Sequence, residues 1–251
     1  MEQEIERILR DTIGALRGAK ALGLRLVPKA HIERIKSIEK EIRQLRGRKK
    51  MAHASVECAD LTQLEQMVRS CNLCPLSKTR KNPVFGEGAR NPILMLIGEA
   101  PGREEDIKAR PFVGRSGELL TKMLRAINLE RSEVFITSVV KCRPPKNRTP
   151  KKEEIETCLP YLLRQIELLD PKLILCLGGT AAKALLDTES PLSKLRGHFH
   201  DYQGRRLLVT YHPAYLLRFG GSRLLDLKRQ AWHDLQLIQQ EYEKIKKGKE
   251  N

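Results

Sequence analysis

The 251-residue chain lacks any run of about eighteen apolar residues, the length that a membrane-spanning helix requires. It also lacks the basic, apolar and small-residue leader of a secretory signal. These absences predict a cytoplasmic protein whose cysteine thiols stay reduced. A chain of 251 residues can bury a full core, so we expect one main domain with appendages, and no internal repeat or low-complexity tract is found.

Acidic residues are the scarcer charge. Lys and Arg number 47 against 31 Asp and Glu, which gives a net charge of +16. The excess extends beyond the first fifty residues and is therefore not confined to a tail. A basic surface favours a polyanionic partner, most commonly nucleic acid. A generally basic, solvated surface is the alternative.

The spacing of the cysteines suits a metal site. Cys71 and Cys74 form a Cys-x-x-Cys pair, and Cys142 and Cys158 follow as distant single residues. Under reducing conditions, four such thiols favour a shared metal centre over disulfides. The centre can be a [4Fe–4S] cluster or zinc, and the spacing does not choose between them. Cys176 lies in an apolar run and is expected to be a buried, inert thiol.

Hydrophobic periodicity divides the chain in two. Residues 1–55 predict a basic helical hairpin, which either packs on the body or grips DNA backbone. Residues 60–245 alternate short apolar runs with helical patterns. This order predicts a three-layer α/β/α sandwich around a central, mainly parallel four-stranded sheet. The four runs are Ile93–Ile97, Val134–Val140, Leu173–Leu177 and Leu207–Tyr211.

The carboxyl-terminal part raises two smaller questions. A long helix near residues 222–247 carries Trp232, which we expect in the core. His198 and His200 stand two apart beside a glycine. That spacing weakly suggests a metal site, but it is more typical of a strand edge.

Ligands of such sheets bind beyond the carboxyl ends of the strands. The first strand is followed by Gly98–Gly102, whose glycines and proline suit a loop lying against a ligand. Phe112, in the next loop, is either a stacking platform or a core aromatic. Ser116 is placed to cap the following helix, whose amino end would seat a phosphate.

The loops after the second and fourth strands carry the other candidates. Lys141–Pro145 joins a cysteine to basic residues, and His212 leaves the carboxyl end of the fourth strand. Tyr215, Leu216 and Leu217 follow. They are either apolar wedges that open a base stack or a helix start packed on the core.

Together these segments resemble the family 4 uracil-DNA glycosylases, the iron–sulfur members of the uracil glycosylase superfamily. The resemblance covers about residues 64–240, without the hairpin. It rests on four motifs in order, namely Gly98–Gly102, Pro111–Gly114, Lys141–Pro145 and His212–Arg218. It implies a monofunctional DNA glycosylase that flips uracil out of single- or double-stranded DNA and hydrolyses its N-glycosidic bond, initiating base excision repair.

The resemblance also implies individual roles. His212 would donate a hydrogen bond to the uracil 2-carbonyl, and Phe112 would stack on the flipped ring. Cluster ligands would be Cys71, Cys74, Cys142 and Cys158. Residues expected at the base are Ala100, Gly102, Glu105, Phe112 and Ser138. Residues expected at the DNA strand are Arg115, Ser116, Arg143, Arg148, Tyr215, Leu216 and Arg218.

Two positions depart from the better-known branch of the superfamily. Ala100 stands where that branch has a water-orienting Asp, so Glu99 and Asn147 become the candidates for that role. Gly102 replaces the Tyr that excludes the thymine methyl group, and Glu105 is the candidate to fill its space. Alternatively, Glu105 belongs to the solvated first turn of a helix.

Ser138 departs from family 4 itself, whose second strand ends Thr-Asn-Val-Val-Lys-Cys. An amide donates and accepts in one fixed plane, whereas a hydroxyl offers a rotating donor. Our hypothesis is a slower or broader glycosylase that also accepts other deaminated bases such as hypoxanthine.

Two alternatives deny turnover. One is a damaged-base binder that traps uracil or its sugar, although residues 143–150 lack the histidine of the trapping branch. The other is an iron–sulfur or zinc accessory protein of nucleic acids. For the glycosylase we expect a cytoplasmic monomer that is associated with a prokaryotic nucleoid and with no membrane. We expect its N-terminal hairpin to be a contact site for a repair or replication partner.

Overall fold

The computed structural model describes residues 56–250, so the hairpin predicted over residues 1–55 lies outside the described residues. The chain divides into two units, Met1–Lys50 and Met51–Asn251. The fold below belongs to the second unit. None of its described helices is long and apolar enough to cross a membrane.

Six strands form one sheet: β1 (Glu87–Gly88), β2 (Leu94–Gly98), β3 (Phe135–Ser138), β4 (Leu173–Leu177), β5 (Phe199–Tyr202) and β6 (Arg205–Thr210). Their order across the sheet is β1-β3-β2-β4-β6-β5. The four inner strands run parallel, and each edge strand is antiparallel to its neighbour. The mainly parallel sheet is therefore confirmed, but it has six strands rather than four.

The two strands that the sequence missed are both edges. β1 is only two residues long, which is too short to show a hydrophobic period. β5 is only partly buried and holds no apolar run. The strand-edge interpretation of the histidines is confirmed: His200 lies in β5, His198 directly precedes it, and the His200 Nε2 is 2.7 Å from the Leu195 carbonyl oxygen.

Helices cover both faces of the sheet. They are α1 (Leu61–Ser70), α2 (Arg103–Lys108), α3 (Arg115–Arg125), α4 (Lys152–Leu169), α5 (Gly179–Leu186), α6 (Leu192–Leu195), α7 (Pro213–Leu216) and α8 (Gly221–Glu250). Met95 and Ile97 of β2 pack with α1, α4 and α5, whereas Leu94 and Leu96 pack with α3 and α8. Because successive strand residues point to opposite faces, this alternation builds the three-layer sandwich.

Trp232 is not a core residue. The buried stripe of α8 runs through Leu227, Ala231, Leu235 and Ile238 at helical spacing. Residue 232 lies about 100° around the helix from Ala231, at the edge of that stripe. Its side chain is consequently 41% exposed.

A buried ion pair anchors α8 to the end of β6. The Arg196 guanidinium donates to both carboxylate oxygens of Asp234, at 2.8 Å each, and the Thr210 hydroxyl donates to Asp234 Oδ2 at 2.7 Å. Thr210 is the last residue of β6, two positions before His212. The strand end that carries His212 is thereby held against the helix layer.

Register brings the candidate loops together. Gly98 lies opposite Ser138, and Leu177 lies opposite Thr210. The hydrogen bonding between β2 and β3 continues just beyond the strand ends, since the Val140 amide donates to the Glu99 carbonyl at 3.1 Å. All four parallel strands therefore end at one edge of the sheet, where their following loops meet.

Candidate active site

The loops at this edge enclose a cavity of about 770 Å³. Every residue predicted to act at the base, in catalysis or on the DNA strand lines it, except Arg143 and Leu216. Those that line it are Glu99, Ala100, Gly102, Glu105, Phe112, Arg115, Ser116, Ser138, Asn147, Arg148, His212, Tyr215 and Arg218. Segments far apart in the sequence thus converge on one site.

His212 is held as a neutral hydrogen-bond donor. It is the N-cap of α7, and its Nδ1 accepts a hydrogen bond from the Ala214 amide at 3.1 Å. A neutral ring that accepts at Nδ1 carries its proton on Nε2. Burial, with a smaller effect from the nearby Arg218, lowers the pKa of His212 to about 4. The ring is therefore uncharged at neutral pH.

Phe112 forms one wall beside His212. The two ring centroids are 5.5 Å apart with planes inclined by 31°. Phe112 is buried within an apolar cluster and also lines the cavity, so core aromatic and pocket wall describe the same residue. Two glycines make room for it: a Cβ at Gly98 would lie 2.6 Å from its ring, and one at Gly117 would lie 1.8 Å from its carbonyl oxygen.

Glu105 clamps the loop that carries Phe112, whose φ is +50°. Its Oε1 accepts from the Val113 and Gly114 amides at 2.9 Å each, and its Oε2 accepts from the Gly102 amide at 3.1 Å. A Cβ at Gly102 would meet Oε2 at 2.7 Å, so the carboxylate fills the space beside that glycine. The alternative of a solvated first turn is wrong, because Glu105 is only 8% exposed.

Ser138 closes the floor of the cavity. It ends β3, is 4% exposed, and its Oγ lies 3.3 Å from the position of a Cβ on Gly98. Its carbonyl oxygen accepts from the fully buried Lys141 Nζ at 2.8 Å. That ammonium group also donates to the Thr137 hydroxyl at 2.7 Å and to Gln165 Oε1 at 2.6 Å.

The two candidates for holding a water differ in freedom. Glu99 lies directly after β2, and its Oε2 accepts a hydrogen bond from the Thr180 hydroxyl. Asn147 ends a short 3₁₀ turn with φ of +55°, and its Oδ1 accepts from Arg143 Nε at 2.7 Å. The side-chain oxygen of Asn147 is thus already hydrogen-bonded. The second carboxylate oxygen of Glu99, in contrast, has no protein donor among the described residues.

Two predictions need correction, the exposure of Leu216 and the helix cap at Ser116, and Arg148 has a protein partner that the sequence did not reveal. Leu216 is 3% exposed and packs in the core, while Leu217 is 43% exposed. Arg148 points both of its terminal nitrogens at the Glu154 carboxylate, at 2.8 and 2.7 Å. Ser116 does not cap α3, because the N-cap is Gly114 and Ser116 lies in the first turn. At Leu216 the sequence did not reveal which side of the short helix α7 faces outward.

Tyr215 belongs to an aromatic row beside the cavity mouth. Its ring stacks on Tyr211 at 5.6 Å with an interplanar angle of 11°, and it meets Phe219 edge to face at 4.9 Å. Arg196 lies over the Tyr211 ring at 5.1 Å, and Arg223 lies over Phe219 at 4.4 Å. Tyr215 is therefore fixed by its neighbours as well as lining the cavity.

The thiols form a second, smaller site. All six cysteines lie in the described part of the chain and none forms a disulfide; Cys176 is fully buried, as predicted. Within residues 56–250, no three His, Cys, Asp or Glu side chains are arranged to hold one metal ion. One cavity is nevertheless lined by Cys71, Cys74, Cys142 and Cys158.

Hydrogen-bond donors surround that sulfur-lined cavity. Arg80 Nη1 donates to Cys142 Sγ at 2.8 Å, and the Lys141 amide donates to Cys158 Sγ at 3.2 Å. Tyr161 also lines the cavity. Among residues 56–250, no carboxylate or imidazole lines the cavity. The atoms that could bind a metal are accordingly four sulfurs, and their neighbours are polar or cationic side chains.

Sequence reasoning missed Thr180, Arg80 and the network around Lys141. Thr180 had a usable signal, since Gly178-Gly-Thr180 directly follows the predicted strand β4 at the ligand-binding edge. Arg80 had none, because its contact with Cys142 joins loops 62 residues apart. Such contacts depend on tertiary packing alone.

We expect His212 to make stability depend on pH. Its folded pKa of about 4 lies below the unfolded value, so the unfolded chain binds more protons between about pH 6.5 and 4. The free energy of unfolding should therefore fall by about 3 kcal/mol through His212 as pH drops across that window. Urea denaturation at pH 7 and pH 4 measures the fall, which should shrink in His212→Gln. The exposed His233→Gln should match the parent, and equal falls in all three proteins would refute this.

Comparison with known proteins gives the same answer as the geometry. Residues 85–236 match the family model described as the uracil DNA glycosylase superfamily. The type-4 uracil-DNA glycosylase of Pyrobaculum aerophilum is 48% identical over 63% of this chain and 85% of its own. That of Thermotoga maritima is 43% identical over 69% and 90%, and that of Archaeoglobus fulgidus 44% over 62% and 83%. The chain belongs to the uracil DNA glycosylase superfamily, among its type-4 members.

Proposed function

We propose that this chain excises uracil from DNA by hydrolysing the N-glycosidic bond, as the first step of base excision repair. The observation that carries the proposal is the neutral His212 imidazole, protonated on Nε2 and set beside the Phe112 ring in a cavity at the strand ends. A donor and an aromatic wall are what an extruded uracil requires. The printed names of the type-4 relatives point the same way.

Bond cleavage leaves negative charge on the departing base and positive charge on the sugar. His212 stabilises the first by donating from Nε2 to the uracil 2-carbonyl. Because the ring is already neutral, it gives no proton and needs no change of ionisation. Phe112 stacks on the flipped ring, and Glu105 supports Phe112 through the Val113 and Gly114 amides.

Glu99 is the group that holds the attacking water. Its carboxylate lies at the cavity wall, and Ala100 next to it offers no acid or base. A carboxylate also opposes the positive charge that develops on the deoxyribose in the transition state. Asn147 has its amide oxygen on Arg143, so it acts as a neighbour of the sugar rather than as the base.

The strand of DNA lies along the mouth of the cavity. Arg115 and Arg218 line it and can contact phosphates without reading sequence. Leu217, rather than Leu216, is the exposed apolar side chain that fills the gap in the base stack. Arg148 instead supports the loop through its pair with Glu154.

The sulfur-lined cavity fits a [4Fe–4S] cluster held by Cys71, Cys74, Cys142 and Cys158. Four thiolates give a net negative site, and the adjacent Arg80 offsets part of that charge. When bound, the cluster supplies a covalent tie between the segment at residues 71–80 and the loop after β3. Arg80 and the Lys141 amide orient two of its sulfur ligands.

An oligonucleotide with one uracil tests the activity. Incubation followed by alkaline cleavage of abasic sites should yield strand scission, because excision leaves an alkali-labile sugar. His212→Ala should lower the single-turnover rate about a hundredfold or more, since it removes the donor to the departing base. His233→Ala, on the exposed face of α8, should keep the parental rate.

The other outcomes of that assay separate the alternatives. A stable protein–DNA adduct would identify a trapping protein, and retained binding without scission or adduct would identify an accessory module. Either result contradicts the proposal.

Ser138→Asn should sharpen base preference. The restored amide would read uracil with a paired donor and acceptor, worth about 1–3 kcal/mol of discrimination. The ratio of uracil to hypoxanthine excision, each from matched oligonucleotides, should therefore rise about tenfold. Ser132→Asn, in the loop before β3, serves as the matched control. An unchanged ratio in Ser138→Asn would place base reading elsewhere.

The cofactor has its own test in metal content. Protein purified without oxygen should carry about four iron atoms per chain and no stoichiometric zinc. Cys158→Ser should lose most of the iron and lower the unfolding temperature, because one of four ligands and the tie between segments are removed. Cys58→Ser, outside the cavity, should retain both. Zinc in place of iron would overturn the cluster while leaving the thiolate site intact.

A further inference from the structure

Thr180 makes the one side-chain hydrogen bond to the Glu99 carboxylate found among the described residues. Its Oγ1 donates to Glu99 Oε2, which leaves Oε1 without a protein donor in that part of the chain. We propose that Thr180 is a positioning residue that aims Glu99 at the attacking water. This rests on the proposed function, in which Glu99 holds that water.

The backbone of Glu99 is fixed by the sheet, but its side chain is not. The Glu99 carbonyl accepts from the Val140 amide at 3.1 Å, which extends the β2–β3 pairing. Beyond that point the side chain can rotate about its own bonds. A hydroxyl donating to one carboxylate oxygen stops that rotation and turns the other oxygen in a single direction. Thr180 therefore sets an orientation that the strand alone does not.

Thr180 is itself rigidly placed relative to His212. It is the second residue of α5, which begins directly after the turn at Gly178. The Gly178 amide donates to the Thr210 carbonyl at 2.9 Å, and a Cβ on Gly178 would lie 3.2 Å from the His212 Cβ. Gly178 has a φ of +96°, so glycine suits both the turn and the close approach.

The turn at residues 178–180 thus contacts both His212 and Glu99. His212 packs against Gly178, and Glu99 is bound two residues later by Thr180. The geometry of residues 178–180 then sets the distance between the His212 ring, which donates to the base, and the Glu99 carboxylate, which holds the water. Thr180 does not line the cavity, so it acts through Glu99 rather than on the DNA.

Steady-state excision of uracil by Thr180→Val and Thr180→Ser tests this role. Valine keeps the shape but removes the hydroxyl, and kcat should fall about tenfold or more because the carboxylate is no longer aimed. KM should stay within about twofold, since no DNA contact is lost. Serine keeps the donor and should restore kcat to within about threefold of the parent. A merely structural role would not give this split and rescue.

Two controls make the result decisive. Thr121→Val, another helical threonine whose hydroxyl bonds to a backbone carbonyl, should keep the parental rate. In a Glu99→Gln background, Thr180→Val should cause little further loss, because its effect passes through Glu99. The iron content and the unfolding temperature of each variant identify any protein that is misfolded. If Thr180→Val is misfolded, the rate of Thr180→Ser provides the measurement instead.

Five results would overturn the inference. Thr180→Val with a parental kcat excludes it, as does an equal loss in Thr180→Ser. Full additivity with Glu99→Gln shows that Thr180 acts elsewhere. If Glu99→Gln alone excises uracil at the parental rate, the role of Thr180 fails while the glycosylase activity stands. A parental chain that excises no uracil overturns both.

Discussion

The common end point of four parallel strands is the constraint on which the site depends. Gly98 lies opposite Ser138 and Leu177 opposite Thr210, so each functional segment leaves the sheet at the same edge. A shift of one residue in any pairing would turn that strand's buried side chains to the wrong face. The apolar clusters on both faces therefore fix the register, and the register fixes how Glu99, Ser138 and His212 stand relative to one another.

The two carboxylates Glu105 and Glu99 line the same cavity but differ in their hydrogen-bond partners. Glu105 accepts hydrogen bonds from three backbone amides, which fix its side chain. It therefore stabilises the loop that carries Phe112. Glu99 accepts a hydrogen bond from one hydroxyl, and its second oxygen has no protein donor among the described residues. Residue type alone does not distinguish these roles. The number and direction of the donors do: they fix both oxygens of Glu105 but only one oxygen of Glu99, the carboxylate that we propose holds the water.

The sequence predicted what depends on local pattern. Runs such as Leu173–Leu177 appear as strands because apolar content and length are local properties, and the strand-end rule led to His212 and Phe112. It failed where burial depends on the angle of a short helix, so Leu216 faces the core and Leu217 faces out. It did not foresee that Arg148 pairs with Glu154, although that partner lies only six residues away. Partner choice among many charged side chains is decided by packing, which no local period records.

Lys141 shows how the thiolate site and the base pocket are joined. Its ammonium group is fully buried and holds the Thr137 hydroxyl, the Ser138 carbonyl and Gln165, while its amide donates to Cys158 Sγ. Burial lowers the pKa of Lys141 to about 7, and negative charge on Cys158 and Cys142 opposes that fall. A buried cation is costly unless it is paired. Lys141 thus contacts the sulfur-lined cavity through its backbone amide and the end of β3 through its side chain, so one residue joins the two sites.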